Sequence, residues 1–229
     1  SKEERLREVA EKHKKDLEDI VKRVDEAAKE TARRLEEIRD HMVLHEYVNA
    51  AGITKGPDDE KLKKVKKILK DIMDRLAELI KKILKLLKEN LEKIKELLRR
   101  NLEISEELLK LAKGLSDRDV LETVRRVLEK LDEEWDRVLE DSRRIIETIL
   151  RELDTLLREV EKLIKEIKDE ISGSKEVLDI LERAVEVVRR VIKALKEVLE
   201  RHVDATREVI ERVKRVNKRL LEAVREVVT

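Results

Sequence analysis

The sequence predicts an all-α protein, an up-down-up-down antiparallel four-helix bundle with left-handed, coiled-coil-like packing. Three observations predict it. Large aliphatic residues recur at three- and four-residue steps along nearly the whole chain, three short breaks divide it into near-equal parts, and helix formers dominate its composition. Of 229 residues, 48% are charged and 40% hydrophobic, with no Cys or Phe, one Pro and four Gly. High charge alone would suit a disordered chain, but disordered chains lack regularly spaced large aliphatics.

The breaks fix the elements in order. Lys55-Gly56-Pro57-Asp58-Asp59-Glu60 pairs a glycine suited to a helix end with a Pro-Asp start. Gly114-Leu115-Ser116-Asp117-Arg118-Asp119 offers Ser116 as N-cap, and Ser172-Gly173-Ser174 offers Ser174. One bundle spanning 1–229 is expected, with helices at about 2–55, 58–113, 116–171 and 174–229. Each ~55-residue helix would run about 80 Å at 1.5 Å per residue, and such short connections make consecutive helices antiparallel neighbours.

Periodicity agrees with those boundaries. Helix two carries Leu62, Val65, Leu69, Ile72, Leu76, Ile80, Ile83, Leu87, Ile94, Leu98 and Leu108. Helix three continues with Leu121, Val124, Leu131, Val138, Ile145, Ile149, Leu156, Val160, Leu163 and Ile167. Helix four does so with Leu181, Val188, Val191, Leu195, Val198, Val209, Val213, Val216, Leu220 and Val224. Spacing near 3.5 implies shallow crossing and knobs-into-holes packing. Helix one is sparser, with Leu6, Val9, Leu17, Ile20, Val21, Val24, Leu35 and Ile38 separated by Ala10, Ala27, Ala28 and Ala32.

Composition also bounds function. The formal net charge is +1 with both signs interleaved, so no basic stripe suits nucleic acid or an anionic membrane. The lack of Cys removes disulfides and thiolate chemistry, and no apolar run is long enough to span a bilayer. No targeting signal is evident, and a soluble monomer is expected. Ser142 and His202 lack an acid or an oxyanion-hole pattern, so no enzyme activity is expected. Trp135 reads as a core residue or an absorbance handle.

Polar interruptions of the apolar stripe fall at matching heights. Folding the chain at its breaks brings His13, Asn101 and Asn217 level near one end. Thr31, Asn90, Ser142 and His202 come level nearer the middle. Two such layers in an aliphatic core read as buried hydrogen-bond networks that fix register and partner choice. The alternative is that each group is partly solvated or satisfied singly.

One stretch departs from the pattern: Arg39, Asp40, His41, Met42, Val43, Leu44, His45, Glu46, Tyr47, Val48, Asn49, Ala50, Ala51, Gly52, Ile53 and Thr54. It is poor in charge and holds two of the four His and the only Tyr. Residue for residue it resembles the engineered eleventh β-strand of split green fluorescent protein. The resemblance implies a partner, the ten-strand remainder, which the segment would complete as an added strand held largely by backbone hydrogen bonds. By motif position, Glu46 matches the glutamate facing the chromophore. Alternation would put Met42, Leu44, Glu46 and Val48 on one face of that strand and Val43, His45, Tyr47 and Asn49 on the other.

In this chain the same residues sit inside helix one, ahead of the predicted stop at Gly56. Summed helix propensities for residues 39–54 cost about 6–8 kcal/mol relative to poly-Ala, so packing must impose the helix. Two inward stripes compete: Leu35, Ile38, Met42, His45 and Asn49, or Leu44, Tyr47, Val48 and Ala51. The sequence leaves the rotation open.

Near-equal helices, minimal loops, capped starts and Glu/Lys/Arg surfaces resemble de novo designed bundles. A strand sequence buried as helix in a lightly packed terminal helix resembles the designed cage-and-latch switches (LOCKR type). That resemblance implies a key helix peptide that displaces helix one. The chain departs from it in carrying the latch at the N-terminus, on three helices, instead of at the C-terminus of a five-helix cage. A structural scaffold carrying an unregulated detection tag is the alternative, and pairing of helix one between chains a third. The inherited strand accounts for His41 and His45, whose i, i+4 spacing would otherwise suit a metal; no metal or cofactor is expected.

Overall fold

The structure, a computed structural model, describes the backbone of residues 1–51 and 59–229, and the side chains of 1–42 and 60–229. Four helices account for it: α1 (Lys2–Ala51), α2 (Asp59–Gly114), α3 (Asp117–Ile171) and α4 (Lys175–Val228). The described residues contain no strand. The predicted starts of α2, α3 and α4 agree to within one residue. The predicted end of helix one and the break at Gly56-Pro57 fall partly among residues 52–58, outside the described residues.

Local chemistry explains the ends. The Ser116 hydroxyl caps α3, accepting the Asp119 N–H at 3.3 Å and donating to its carboxylate at 2.8 Å. Asp117 and Asp119 in the first turn and Lys168 in the last oppose the helix dipole. Ser174 is buried at the start of α4, where its carbonyl accepts the Leu178 N–H at 3.1 Å. No side-chain cap by Ser174 is seen. At the end of α2, Leu115 N–H reaches Leu111 C=O at 3.0 Å, so α2 turns into α3 without a left-handed glycine.

Two compact units divide the chain. The first comprises Ser1–Lys29, Leu87–Arg144 and His202–Thr229, and the second Glu30–Leu86 and Ile145–Arg201. Within the second, three ion pairs set the register of α3 against α4: Lys168–Glu182, Arg189–Glu161 and Lys196–Asp154. Each step of seven residues back along α3 meets a step of seven forward along α4. That is the heptad of an antiparallel coiled-coil seam. Lys64–Glu170, Arg75–Glu159 and Lys82–Glu152 run α2 antiparallel to α3 in the same way. Exposed pairs contribute about 0–1 kcal/mol each, so they specify register more than stability. The core beneath them includes Ile72, Leu76, Ile83, Leu153, Val160, Leu181, Val188 and Leu195.

In the first unit the apolar core gathers all four helices. Leu17, Ile20 and Val24 of α1 meet Ile94, Leu97 and Leu98 of α2, Leu131 and Trp135 of α3, and Ile210, Val213 and Val216 of α4. A smaller cluster joins Ala10, Leu108, Val120, Val124, Leu128, Leu220 and Val224.

Where the apolar stripe is two residues wide, the inward member differs from the one expected at four positions. Val120, Ile146, Ile164 and Ile210 are buried, while Leu121, Ile145 and Val209 lie at the edge and Leu163 is 36% exposed. A 3.6-residue helix cannot centre both neighbours of an adjacent aliphatic pair on one seam.

Trp135 is fully buried, and its indole Nε1–H has no hydrogen-bond partner. Trp135→Phe removes that orphan donor as well as some packing, two effects of about 1–3 kcal/mol and opposite sign. Its stability by guanidinium denaturation is therefore expected within about 1 kcal/mol of the parent, whereas Trp135→Ala is expected to lose about 3–5 kcal/mol.

Candidate functional site

The strand-like segment begins on α1 in the second unit. Leu35 is buried, Ile38 half-buried, and Met42 buried at 4% exposure, while Arg39, Asp40 and His41 are exposed. This places Leu35, Ile38 and Met42 inward; His45 and Asn49, and the competing Leu44, Tyr47, Val48 and Ala51, lie outside the residues whose side chains are described. The backbone stays helical through Val43, Leu44, His45, Glu46, Tyr47, Val48, Asn49, Ala50 and Ala51. Side chains beyond Met42, and Gly52, Ile53 and Thr54 altogether, lie outside the described residues.

Just ahead of the segment, Arg33 bonds Glu30 and Glu37, and Arg34 bonds Glu30. These guanidinium bonds, from Arg34 first and then Arg33, hold the Glu30 carboxyl below its ordinary range. All of them lie within α1. They favour its helical form and do nothing to dock it.

Docking of α1 rests on few large side chains. Among the described residues, α1 buries Leu6, Ala10, Leu17, Ile20, Val24, Leu35 and Met42, seven apolar side chains against sixteen for α4. At about 1.5–3 kcal/mol for each of the six large ones, the gross term is still about 9–18 kcal/mol. Ion pairs add Asp25–Lys95 at 2.8 Å and Lys2–Asp117, both at exposed or half-buried positions.

The end layer joins His13, Asn101 and Asn217 as expected. His13 Nε2 lies 3.0 Å from Asn217 Oδ1, Asn217 Nδ2 donates to Asn101 Oδ1 at 2.7 Å, and Asn101 Nδ2 donates to Leu97 C=O at 2.8 Å. Sequence reasoning missed a fourth member: Ser105, buried, whose Oγ is 2.5 Å from His13 Nδ1. Its position one turn beyond Asn101 was the available signal.

The second layer joins three of its four expected members. His202 Nε2 donates to Asn90 Oδ1 at 2.9 Å, Asn90 Nδ2 to Ser142 Oγ at 2.6 Å, and Ser142 Oγ to Val138 C=O at 2.7 Å. All three are buried. Thr31 is half-buried on α1 in the second unit, and the bonds of this layer run among the other three. Thr206, one turn after His202, is a further buried hydroxyl that the sequence reading passed over.

Burial lowers both imidazole pKa values. Desolvation brings His202 from 6.5 to about 4. It also lowers His13, against smaller opposing effects of the Asn217 hydrogen bond and the Asp16 charge. Both rings are neutral donors or acceptors near pH 7. Among the described residues no three His, Asp or Glu side chains cluster as a metal site would require. None of their helices is long and apolar enough to cross a membrane.

No protein-family model, curated protein or solved structure matches the chain.

Proposed function

We propose that this chain is a designed binding switch: α1 holds the eleventh-strand sequence of split green fluorescent protein as helix, and its release yields that sequence to the ten-strand fragment. The observation that carries the reading is the unbroken helix of α1 from the latch region through Ala51, with Met42 buried inside the strand-like segment. Helix and added strand are incompatible conformations of one backbone, so the fragment binds only the undocked population. The sparse apolar face of α1 supports its role as the movable element, and a helix copying that face is the trigger that competes with it. No chemical step is assigned to the chain. Exposure of Arg39, Asp40 and His41 favours the second reading, an ungated tag on a helical scaffold.

Mixing with the ten-strand fragment separates the two. Fluorescence is expected to develop more than about tenfold slower than with the free peptide 39–54, since each 1.4 kcal/mol of net caging costs a factor of ten. A peptide copying residues 1–38 is expected to accelerate it. A rate equal to that of the free peptide, unaffected by added helix, would establish the ungated tag.

A further inference from the structure

We propose that His13 is an acid-sensitive fastening of α1: protonation of its imidazole loosens α1 from α2 and α4 in the first unit. The geometry makes this ring the buried polar junction of three helices. One nitrogen faces Ser105 of α2 and the other Asn217 of α4, and the ring is only 3% exposed. Each neighbour matches a neutral imidazole, which needs one donor and one acceptor. A proton added to the ring gives it two N–H groups and a charge. The hydroxyl must then stop donating to the ring and turn its hydrogen elsewhere, and the charge loses water without gaining a hydrogen-bonded carboxylate partner.

The ionisable groups around the ring do not offset that penalty. Lys12 and Asp16 of α1, with Arg219, Glu222 and Glu226 of α4, line the groove that reaches His13. Cations and carboxylates are mixed there, and Asp16, the one with a resolved effect on the ring, only partly opposes desolvation. From α2 the ring meets a neutral hydroxyl. The groove also gives hydronium and water a route to the imidazole when α1 breathes. His202 differs, because its layer ties α4 to α2 and α3. Acid therefore has a specific point of action on the helix that, among the described residues, buries the fewest apolar side chains. The consequence for the embedded strand sequence rests on the caging reading above; the loosening of α1 does not.

Hydrogen exchange of the full chain at pH 7 and pH 5, corrected for intrinsic rates, tests the two separately. For a ring with an ordinary pKa of 6.5 when undocked, α1 amides between Leu6 and Val24 are expected to lose protection by up to about 25-fold. His202→Gln should keep this response, and His13→Gln should lose it. Where His13→Gln does not fold, the apolar layer His13→Leu, Ser105→Ala, Asn101→Leu, Asn217→Leu serves, with no pH response in α1 expected. Equal protection at both pH values, or a loss persisting in the His13 variants, overturns the proposal. Peptide-independent complementation brought to pH 7 after a pH 5 pulse reads the caging consequence. If exchange responds and fluorescence does not, His13 acts on α1 but the caging reading fails.

Discussion

Replacing Asn90 with Ala is expected to destabilise the protein by about 2–4 kcal/mol, out of proportion to the atoms removed. Asn90 is the central member of its layer, accepting from His202 and donating to Ser142. Its loss strands a buried imidazole N–H and leaves a buried hydroxyl one donor short. An unsatisfied buried group costs about 1–3 kcal/mol, and the cavity adds to that. The combined variant His202→Leu, Asn90→Leu, Ser142→Ala removes every partner at once and is expected to be no less stable than the parent, because nothing polar is left unpaired. Guanidinium denaturation of the single and combined variants reads the difference directly. A combined variant as unstable as Asn90→Ala would show that the layer contributes more than the satisfaction of its own groups. The same variant is expected to tolerate shifted helix pairings that the parent rejects, since specificity of register is what a polar layer adds to an aliphatic core.

The second large effect is with acid. His202 has an unfolded pKa near 6.5 and a folded value near 4, so the folded state binds the proton less well. Above pH 6.5 both states are neutral and the full stability is present. As pH falls below 6.5 the unfolded chain protonates first, and stability declines until about pH 4, where the folded ring protonates too. The window corresponds to roughly 3 kcal/mol, at about 1.4 kcal/mol per pKa unit. His13, also lowered, adds to the decline in the same direction. Denaturation midpoints across pH 7 to 4 are expected to fall, and His202→Gln is expected to make that slope shallower, leaving the part carried by His13. A parent midpoint constant over the window would mean that neither ring is held neutral by burial.

Much of this fold was legible because its determinants are local and periodic. The apolar rows, Ser116 as a cap and the breaks at 114–119 and 172–174 each specify an element without reference to the rest of the chain. The end layer was legible because Asn101, Asn217 and His13 are large polar groups that an aliphatic row cannot conceal. Ser105 and Thr206 escaped because a small hydroxyl suits a buried or an edge position equally well, bonding its own helix if necessary. Thr31 illustrates the opposite error: height along a helix was right to suggest a layer, but a half-buried threonine has water as an alternative partner. The choice between Ile145 and Ile146, or Leu163 and Ile164, turns on a fraction of a helical turn, which depends on the neighbouring helices and is absent from any one segment. For the strand-like segment, the sequence left two rotations open; Leu35 and Met42 are buried, and the residues that distinguish the two stripes lie beyond the described side chains.

The bonds of the end layer have a polarity that begins at a main-chain atom. Leu97 C=O can only accept, so the amide of Asn101 must turn its nitrogen toward it and its oxygen toward Asn217. Asn217 is thereby oriented in turn, and its oxygen compels His13 to carry hydrogen on Nε2 and a lone pair on Nδ1. A peptide carbonyl on one helix thus dictates the tautomer of a ring on another, at three removes. Nitrogen NMR of the imidazole should find the Nε2–H form alone, and Asn217→Asp, which has no hydrogen to pass on, should break the sequence at its midpoint.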